Sequence, residues 1–341
     1  MDNVLAIYDS EKNYIKKLAA FFESRTTMPF SILAFDNPEK LTRHFSENRA
    51  AVLLVNKKKW QPSIRELANQ IILLVEEKEE ERLESDFTES QLPAVCKYQS
   101  GEAIAKKILS ICSVAKAPLL PEYQIECANS TRAEIIGIYT PVGRSLQTSF
   151  AITYSRLRAN AQKTLYLNFE VFSGFGAWFE RKYETDLMDL MYFLDGPTDK
   201  FLLKLAGMSE KFGGLDYIPP AISYEDFMLV KAKEWIRLIR TIAEKSDYEV
   251  IVLDLGSQMQ GLFDILSLCK RIYTITRQDG IAMSKINAYE EALQMSQKQG
   301  VLNKTVKCNL PVFQRIPQRA AALGCSQLAD YMRKELGEVF S

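Results

Sequence analysis

Residues 134–150 read EIIGIYTPVGRSLQTSF. An apolar run (Ile135, Ile136, Ile138) enters a glycine-bearing turn, and a helical pattern with Phe150, Ile152 and Leu157 follows. Strand, turn and helix in that order make the layout of a phosphate-binding loop. In a working loop the last positions read Gly-Lys-[Ser/Thr]. Glycine lets backbone N–H groups curl around phosphate, lysine neutralises it, and the hydroxyl holds magnesium. Here the same positions read Leu146-Gln147-Thr148. Losing the lysine contact costs about 1.5–3 kcal/mol of phosphate affinity. A side chain where glycine's positive φ is wanted costs about another 1–2 kcal/mol. Together they weaken binding by a factor of about 10² to 10³. For an anion the chain keeps Gly143, Ser145, Thr148, Ser149 and Asp254, Arg144 adds a charge if it points inward, and the helix N-terminus behind the turn offers N–H groups and a positive dipole end.

The elements that must position this loop belong to the second of two predicted domains. The first, 1–113, alternates strands and helices. Strands are predicted at 4–8, 30–35, 51–55, 71–75 and 94–96, and helices at 14–24 and 38–48. Five such units within about a hundred residues predict a parallel, doubly wound, flavodoxin-like sheet. Residues 114–132 carry Pro118 and Pro121 without periodicity and read as a linker. The second domain, 133–341, holds the loop, an apolar strand 250–255 ending near Asp254, and a core helix over 226–245 with Phe227, Val230, Trp235, Leu238, Ile239 and Ile242 on one face. Another helix is predicted over 280–296. The fold class is therefore α/β, with two doubly wound domains.

Thr140-Pro141-Val142-Gly143-Arg144 resembles the S-P-V-G-R loop start of the TadZ/CpaE family. Those proteins join an atypical response-regulator receiver domain to a P-loop NTPase domain of ParA/MinD type and help to localise pilus-assembly machinery in bacteria. Further similar pieces are Leu165-Tyr166-Leu167-Asn168-Phe169-Glu170 with Ser173-Gly174-Phe175, 185–190, Asp216-Tyr217-Ile218-Pro219-Pro220, 248–256 as a Walker B strand, and Cys308-Asn309-Leu310-Pro311 at the base-contacting turn. The resemblance implies a nucleotide site of Gly143, Arg144, Ser145, Gln147, Thr148, Ser149, Asp254, Asn309 and Pro311, with magnesium at Thr148 and Asp254. It also shows the site to be degenerate, because Gln147 and Val142 stand where the class keeps its two lysines. ATP with magnesium is expected to bind weakly or not at all, and no residue is assigned a catalytic role. In the first domain the resemblance places Asp9 at an acidic metal-ligand position and Lys97 at the receiver's switch lysine. Asn56 replaces the phosphoacceptor aspartate and Glu76 the switch hydroxyl, so no phosphorylation is expected. The alternative for Asp9, Lys97, Asp254 and Glu170 is a purely structural role at strand ends.

Composition narrows the remaining classes. The chain has 341 residues, 47% hydrophobic and 25% charged, with 43 basic and 43 acidic residues. That balance offers no bulk attraction to nucleic acid or acidic lipid. Six single cysteines form no C-x-x-C pair, which argues against a zinc site, and His44 stands alone. The N-terminus is no signal peptide, no apolar run reaches membrane-spanning length, and a cytoplasmic location, polar by the resemblance, is expected. The acidic run after Val75 reads as a solvated segment. Residues 327–340 form an amphipathic helix with Leu328, Tyr331, Met332, Leu336, Val339 and Phe340 on one face. Its polar face mixes both charge signs, so packing on the protein is expected rather than lipid binding. Two function classes result. One is a non-catalytic localisation scaffold acting through protein partners of a pilus or secretion machine, as a homodimer that needs no nucleotide. The other is an ATPase switch in which ATP controls dimerisation.

Overall fold

Alternating buried strands and amphipathic helices produce two parallel sheets in the computed structural model, which describes residues 3–24, 28–76, 92–114, 133–315, 317 and 319–337. Most of the predicted linker, the acidic run beyond Glu76, Cys127, Val339 and Phe340 lie outside the described residues. The chain divides into two compact units: 1–124 with 196–208, and 125–195 with 209–341.

In the first unit, β1 (Val4–Tyr8), α1 (Lys12–Glu23), β2 (Ser31–Phe35), α2 (Pro38–His44), β3 (Ala50–Asn56), β4 (Ala68–Val75), β5 (Ala94–Cys96) and α3 (Gly101–Val114) build a sheet of order β2-β1-β3-β4-β5, parallel throughout. This is the flavodoxin-like order. Leu5, Ile7, Val52, Leu54, Ile72 and Leu74 pack under α1 and α3, while Ala6, Tyr8, Leu53, Val55, Ile71 and Leu73 pack under α2. Burial on both faces is why the strands read as continuous apolar runs.

The second unit holds β6 (Glu134–Ile138), α4 (Gln147–Arg158), β7 (Thr164–Phe169), α5 (Phe175–Trp178) and α6 (Leu187–Tyr192). Then α7 (Thr198–Met208) leaves to join the first unit, where Leu203 enters the core. Gly207 there approaches α3 so closely that an added Cβ would lie 3.2 Å from the Leu109 Cβ. The second unit resumes with β8 (Glu210–Phe212), β9 (Leu215–Ile218), α8 (Tyr224–Leu229), α9 (Ala232–Lys245), β10 (Val250–Leu255), α10 (Leu262–Leu268), β11 (Arg271–Thr276), α11 (Gly280–Met295), α12 (Gly300–Asn303), β12 (Thr305–Asn309) and α13 (Gln327–Glu335). Its sheet order is β12-β11-β6-β10-β7-β9-β8, with only the β8–β9 pair antiparallel.

The single helix expected over 226–245 is two helices. Val230 and Lys231 are extended, and the Lys231 N–H donates to the Glu234 carboxylate at 2.8 Å, which starts α9 afresh. The segment at 185–190 starts a helix as expected, because Asp186 and Asp189 form a reciprocal capping box. In α13, Leu328, Ala329 and Met332 are buried in the core beside α4, so the described part of the C-terminal helix packs on the protein.

Candidate functional site

β6 lies between β10 and β11, so the chain leaving it enters a crevice at the C-terminal ends of the parallel strands. Open α/β sheets bind their ligands there. Residues 140–149 wrap a cavity of about 520 Å³, closed on the far side by Glu170, Leu255, Gly256 and Ser257. Of the expected nucleotide residues, Gly143, Arg144, Ser145, Gln147, Thr148 and Ser149 all line it. Asp254 is buried beneath its floor and reached through Gln147. Asn309 and Pro311 end β12 and follow it, and neither lines the cavity.

Gln147 lies across the loop. Its Oε1 accepts from the Thr140 N–H at 2.8 Å, and its Nε2 donates to Asp254 Oδ1 at 2.6 Å and to the Leu255 carbonyl at 3.1 Å. The side chain at the lysine position thus ties the strand that enters the loop to the strand that carries the aspartate. Asp254 Oδ2 accepts from the Tyr166 hydroxyl at 2.8 Å and from Asn168 Nδ2 at 3.0 Å. Burial pushes its carboxyl up, and bonds from Gln147, Tyr166, Thr148 and Asn168 oppose that. Tyr166 and Asn168 are two apart on β7 and share a face. That alternation was visible in the sequence; what it faced was not.

Leu146 has φ +68° and Arg144 φ +54°. The loop therefore keeps a glycine-like turn with side chains forced into it, at about 1–2 kcal/mol each. Arg144 is exposed. Ser145 is buried and its hydroxyl has no partner among the described residues. Val142 does not point away from its own subunit: it is buried against Ala282 and Ile286 of α11.

Glu170, at the end of β7, stands 3.5 Å from Thr148 Oγ1. Burial first, and then the charge of Asp254, push its carboxyl up to about 7, against the pull of Thr148. A carboxyl raised in the folded state disfavours folding once it ionises. Stability should fall as pH rises from the unfolded value near 4.5 to about 7 and stay level above. We expect Glu170→Gln to remove that slope. The variant should match the native protein near pH 4.5 and exceed it at pH 8 by about 1–2 kcal/mol, discounted for the solvent-facing part of the side chain. Urea unfolding across that range measures it; equal slopes in both proteins would refute the assignment.

The first unit has a second cluster. Asp9, Asn56 and Lys97, far apart in sequence, meet at the C-terminal ends of β1, β3 and β5. Lys97 Nζ pairs with Asp9 Oδ2 at 2.7 Å and Glu11 Oε1 at 2.5 Å, and Asn56 Nδ2 donates to Asp9 Oδ2 at 2.9 Å. Lys97 and Asp9 are both buried. The Lys97 ammonium also lies over the rings of Tyr14 and Tyr98, and the Tyr14 hydroxyl donates to the Lys97 carbonyl at 2.7 Å. Burial alone would raise the Asp9 carboxyl, but Lys97, the Glu11 N–H and Asn56 bring it below its ordinary value. Burial would likewise lower Lys97, and Asp9 and Glu11 raise it above. Asn56 Oδ1 accepts the Lys58 N–H, and Lys58 pairs with Glu76. Glu11, Tyr14 and Tyr98 were not singled out in the sequence.

No group of three or more histidine, cysteine, aspartate or glutamate side chains suited to a metal occurs among the described residues, and no helix there is long and apolar enough to cross a membrane. The protein is thus an α/β chain in which a receiver-like unit with an internal ammonium is followed by a unit of phosphate-loop layout. Residues 1–113 match the family described as TadZ-like, receiver domain. No curated protein matches the sequence. Among solved structures, similar ones include a ParA family ATPase from Chlorobium tepidum TLS (14% identity, TM-score 0.48, covering 62% of this chain and 97% of that one) and the septum site-determining protein MinD with Mg-ADP from Pyrococcus horikoshii OT3 (14%, TM-score 0.43, 61% and 99%).

Proposed function

We propose that the protein is a localisation scaffold of the TadZ/CpaE kind, serving a pilus or secretion machine through protein contacts, with a loop that is tied rather than switched. The observation that carries this reading is the Gln147 bridge from the Thr140 N–H to Asp254 and Leu255. A loop lysine would bring one positive charge to a phosphate; Gln147 brings none and spends both amide ends on protein groups. The cavity's remaining charges are the exposed Arg144 and the raised Glu170. These residues do not fit a tightly held magnesium nucleotide. The buried, unpartnered Ser145 hydroxyl and the helix N-terminus behind the loop would suit only weak anion binding.

Titration with a fluorescent ATP analogue and magnesium tests this. We expect no saturation below about 1 mM, and a gain of roughly 10²-fold or more in Leu146→Gly/Gln147→Lys, which restores the usual residues. Micromolar binding by the native protein, with phosphate release that Thr148→Val abolishes, would establish the ATPase switch instead.

A further inference from the structure

Two aromatic rings that the core does not use meet at the surface of the second unit. Phe172, in the turn after β7, is 80% exposed, and Tyr224, at the start of α8, is 43% exposed. Their rings stack 6.0 Å apart and 4° from parallel, so each holds the other while open ring surface stays in water. Glu225 and Asp226 follow Tyr224 directly. Both are exposed, and neither enters an ion pair among the described residues. The nearest basic residues along the chain, Lys231 and Lys233, come after the other end of α8. The backbone beneath is fixed. The Ile222 N–H donates to the buried Asp186 at 2.7 Å, and the Asp226 N–H to Ser223 Oγ at 3.2 Å. Rings and carboxylates are thus set in place before a ligand arrives, which lowers the ordering cost of binding.

We propose that Phe172, Tyr224, Glu225 and Asp226 form a docking site for an arginine-bearing segment of a partner protein. The carboxylates call for a cation, and the rings call for one that stacks. A guanidinium is flat, weakly hydrated and forked, so it lies on a ring while its edge donates to a carboxylate. A lysine ammonium is a strongly hydrated point charge and stacks less well. A purely apolar segment would cover the rings but leave both carboxylates facing it without a counter-charge. The same patch of a second copy would set carboxylates against carboxylates, and an anionic surface would be repelled in the same way. The proposal deepens the scaffold reading by naming the chemistry of one partner, and it rests on that reading for there being a protein partner at all. Its test contains no nucleotide, so it fails or succeeds independently of the loop titration.

The experiment is fluorescence anisotropy of the full chain with short labelled peptides that alternate glycine with arginine, lysine, citrulline or leucine. We expect the arginine peptide to saturate below about 1 mM at low salt. The lysine peptide should bind about threefold more weakly or worse. The citrulline peptide, which keeps the shape and loses the charge, should not bind. Phe172→Ala and Tyr224→Ala should each weaken the arginine peptide about threefold or more and erase its advantage over lysine. Glu225→Gln/Asp226→Gln should weaken both cationic peptides, most of all at low salt. Glu39→Gln/Glu47→Gln, which removes two exposed acids of the first unit, should change nothing. The changed positions are all exposed, so circular dichroism should stay native in every variant. No binding of the arginine peptide below about 1 mM would overturn the proposal. So would equal affinity for arginine and lysine with no response to the ring variants, which would mean diffuse attraction only. A leucine peptide that matches the arginine peptide would make the rings a plain apolar contact. Peptide binding that weakens as protein concentration rises would place a second copy there instead.

Discussion

Lys97→Met is expected to lower the melting temperature of the receiver-like unit by roughly 10 °C or more at pH 7. Methionine fills the stem's volume and removes only the ammonium. Asp9 is then a buried carboxylate whose remaining donors are Asn56 and the Glu11 N–H. Breaking a buried pair from one side costs about 3–5 kcal/mol, because the uncompensated charge stays inside, and in a domain of this size each kcal/mol moves the midpoint by about 4 °C. The pH dependence separates this cause from lost packing. In the native protein the depressed Asp9 contributes stability above its unfolded value that is lost as pH falls through its folded value. The raised Lys97 contributes below its unfolded value and is lost as pH rises through its folded value. In the variant the carboxyl of Asp9 is raised, so protonation relieves it and the deficit should shrink toward pH 4. Asp9→Asn/Lys97→Met should recover much of the loss. A deficit that is constant with pH and unrecovered by the second change would assign Lys97 a packing role only.

The first sheet was readable because each strand is buried on both faces, as in 51–55 and 71–75, and nothing competes with that pattern. The loop's strand-turn-helix layout was readable for the same reason. Three features were not. The break at Val230 and Lys231 interrupts a good helical period, and only the Glu234 cap chooses two helices over one. α7 follows the second unit's chain yet buries Leu203 in the first unit's core, a choice made by tertiary packing that no local pattern encodes. At the candidate site, substitution was visible but its consequence was not. Val142 and Gln147 both read only as lost lysines until α11 is found to cover the first and the amide of the second to join β6 to β10. Residue type reported what chemistry had gone; only geometry reported what replaced it.

That replacement makes a strong expectation for Asp254. If the aspartate served a nucleotide, Asp254→Ala would change ligand affinity and leave the ligand-free fold largely as it is. In the network found here it accepts from Gln147, Tyr166 and Asn168 in a fully buried position. Alanine removes those acceptors at once. Gln147 Nε2 keeps the Leu255 carbonyl, and Asn168 Nδ2 keeps the Tyr166 oxygen at 3.0 Å. The Tyr166 hydroxyl proton is left with no acceptor, and a small cavity opens between β7 and β10. Each amide loses the acceptor of one of its two N–H groups, which makes three orphaned buried donors with the Tyr166 hydroxyl; at about 1–3 kcal/mol each, a total of about 3 kcal/mol or more is expected. For a domain of roughly two hundred residues that lowers the melting temperature by about 6–12 °C. The fall should be the same with and without magnesium ATP, and magnesium ATP should leave the native melting temperature where it was, since only a ligand that binds the folded state shifts it. Calorimetry of the two proteins decides the matter. A native protein stabilised by magnesium ATP, alongside an Asp254→Ala variant of unchanged ligand-free stability, would make the aspartate a ligand residue of a live switch.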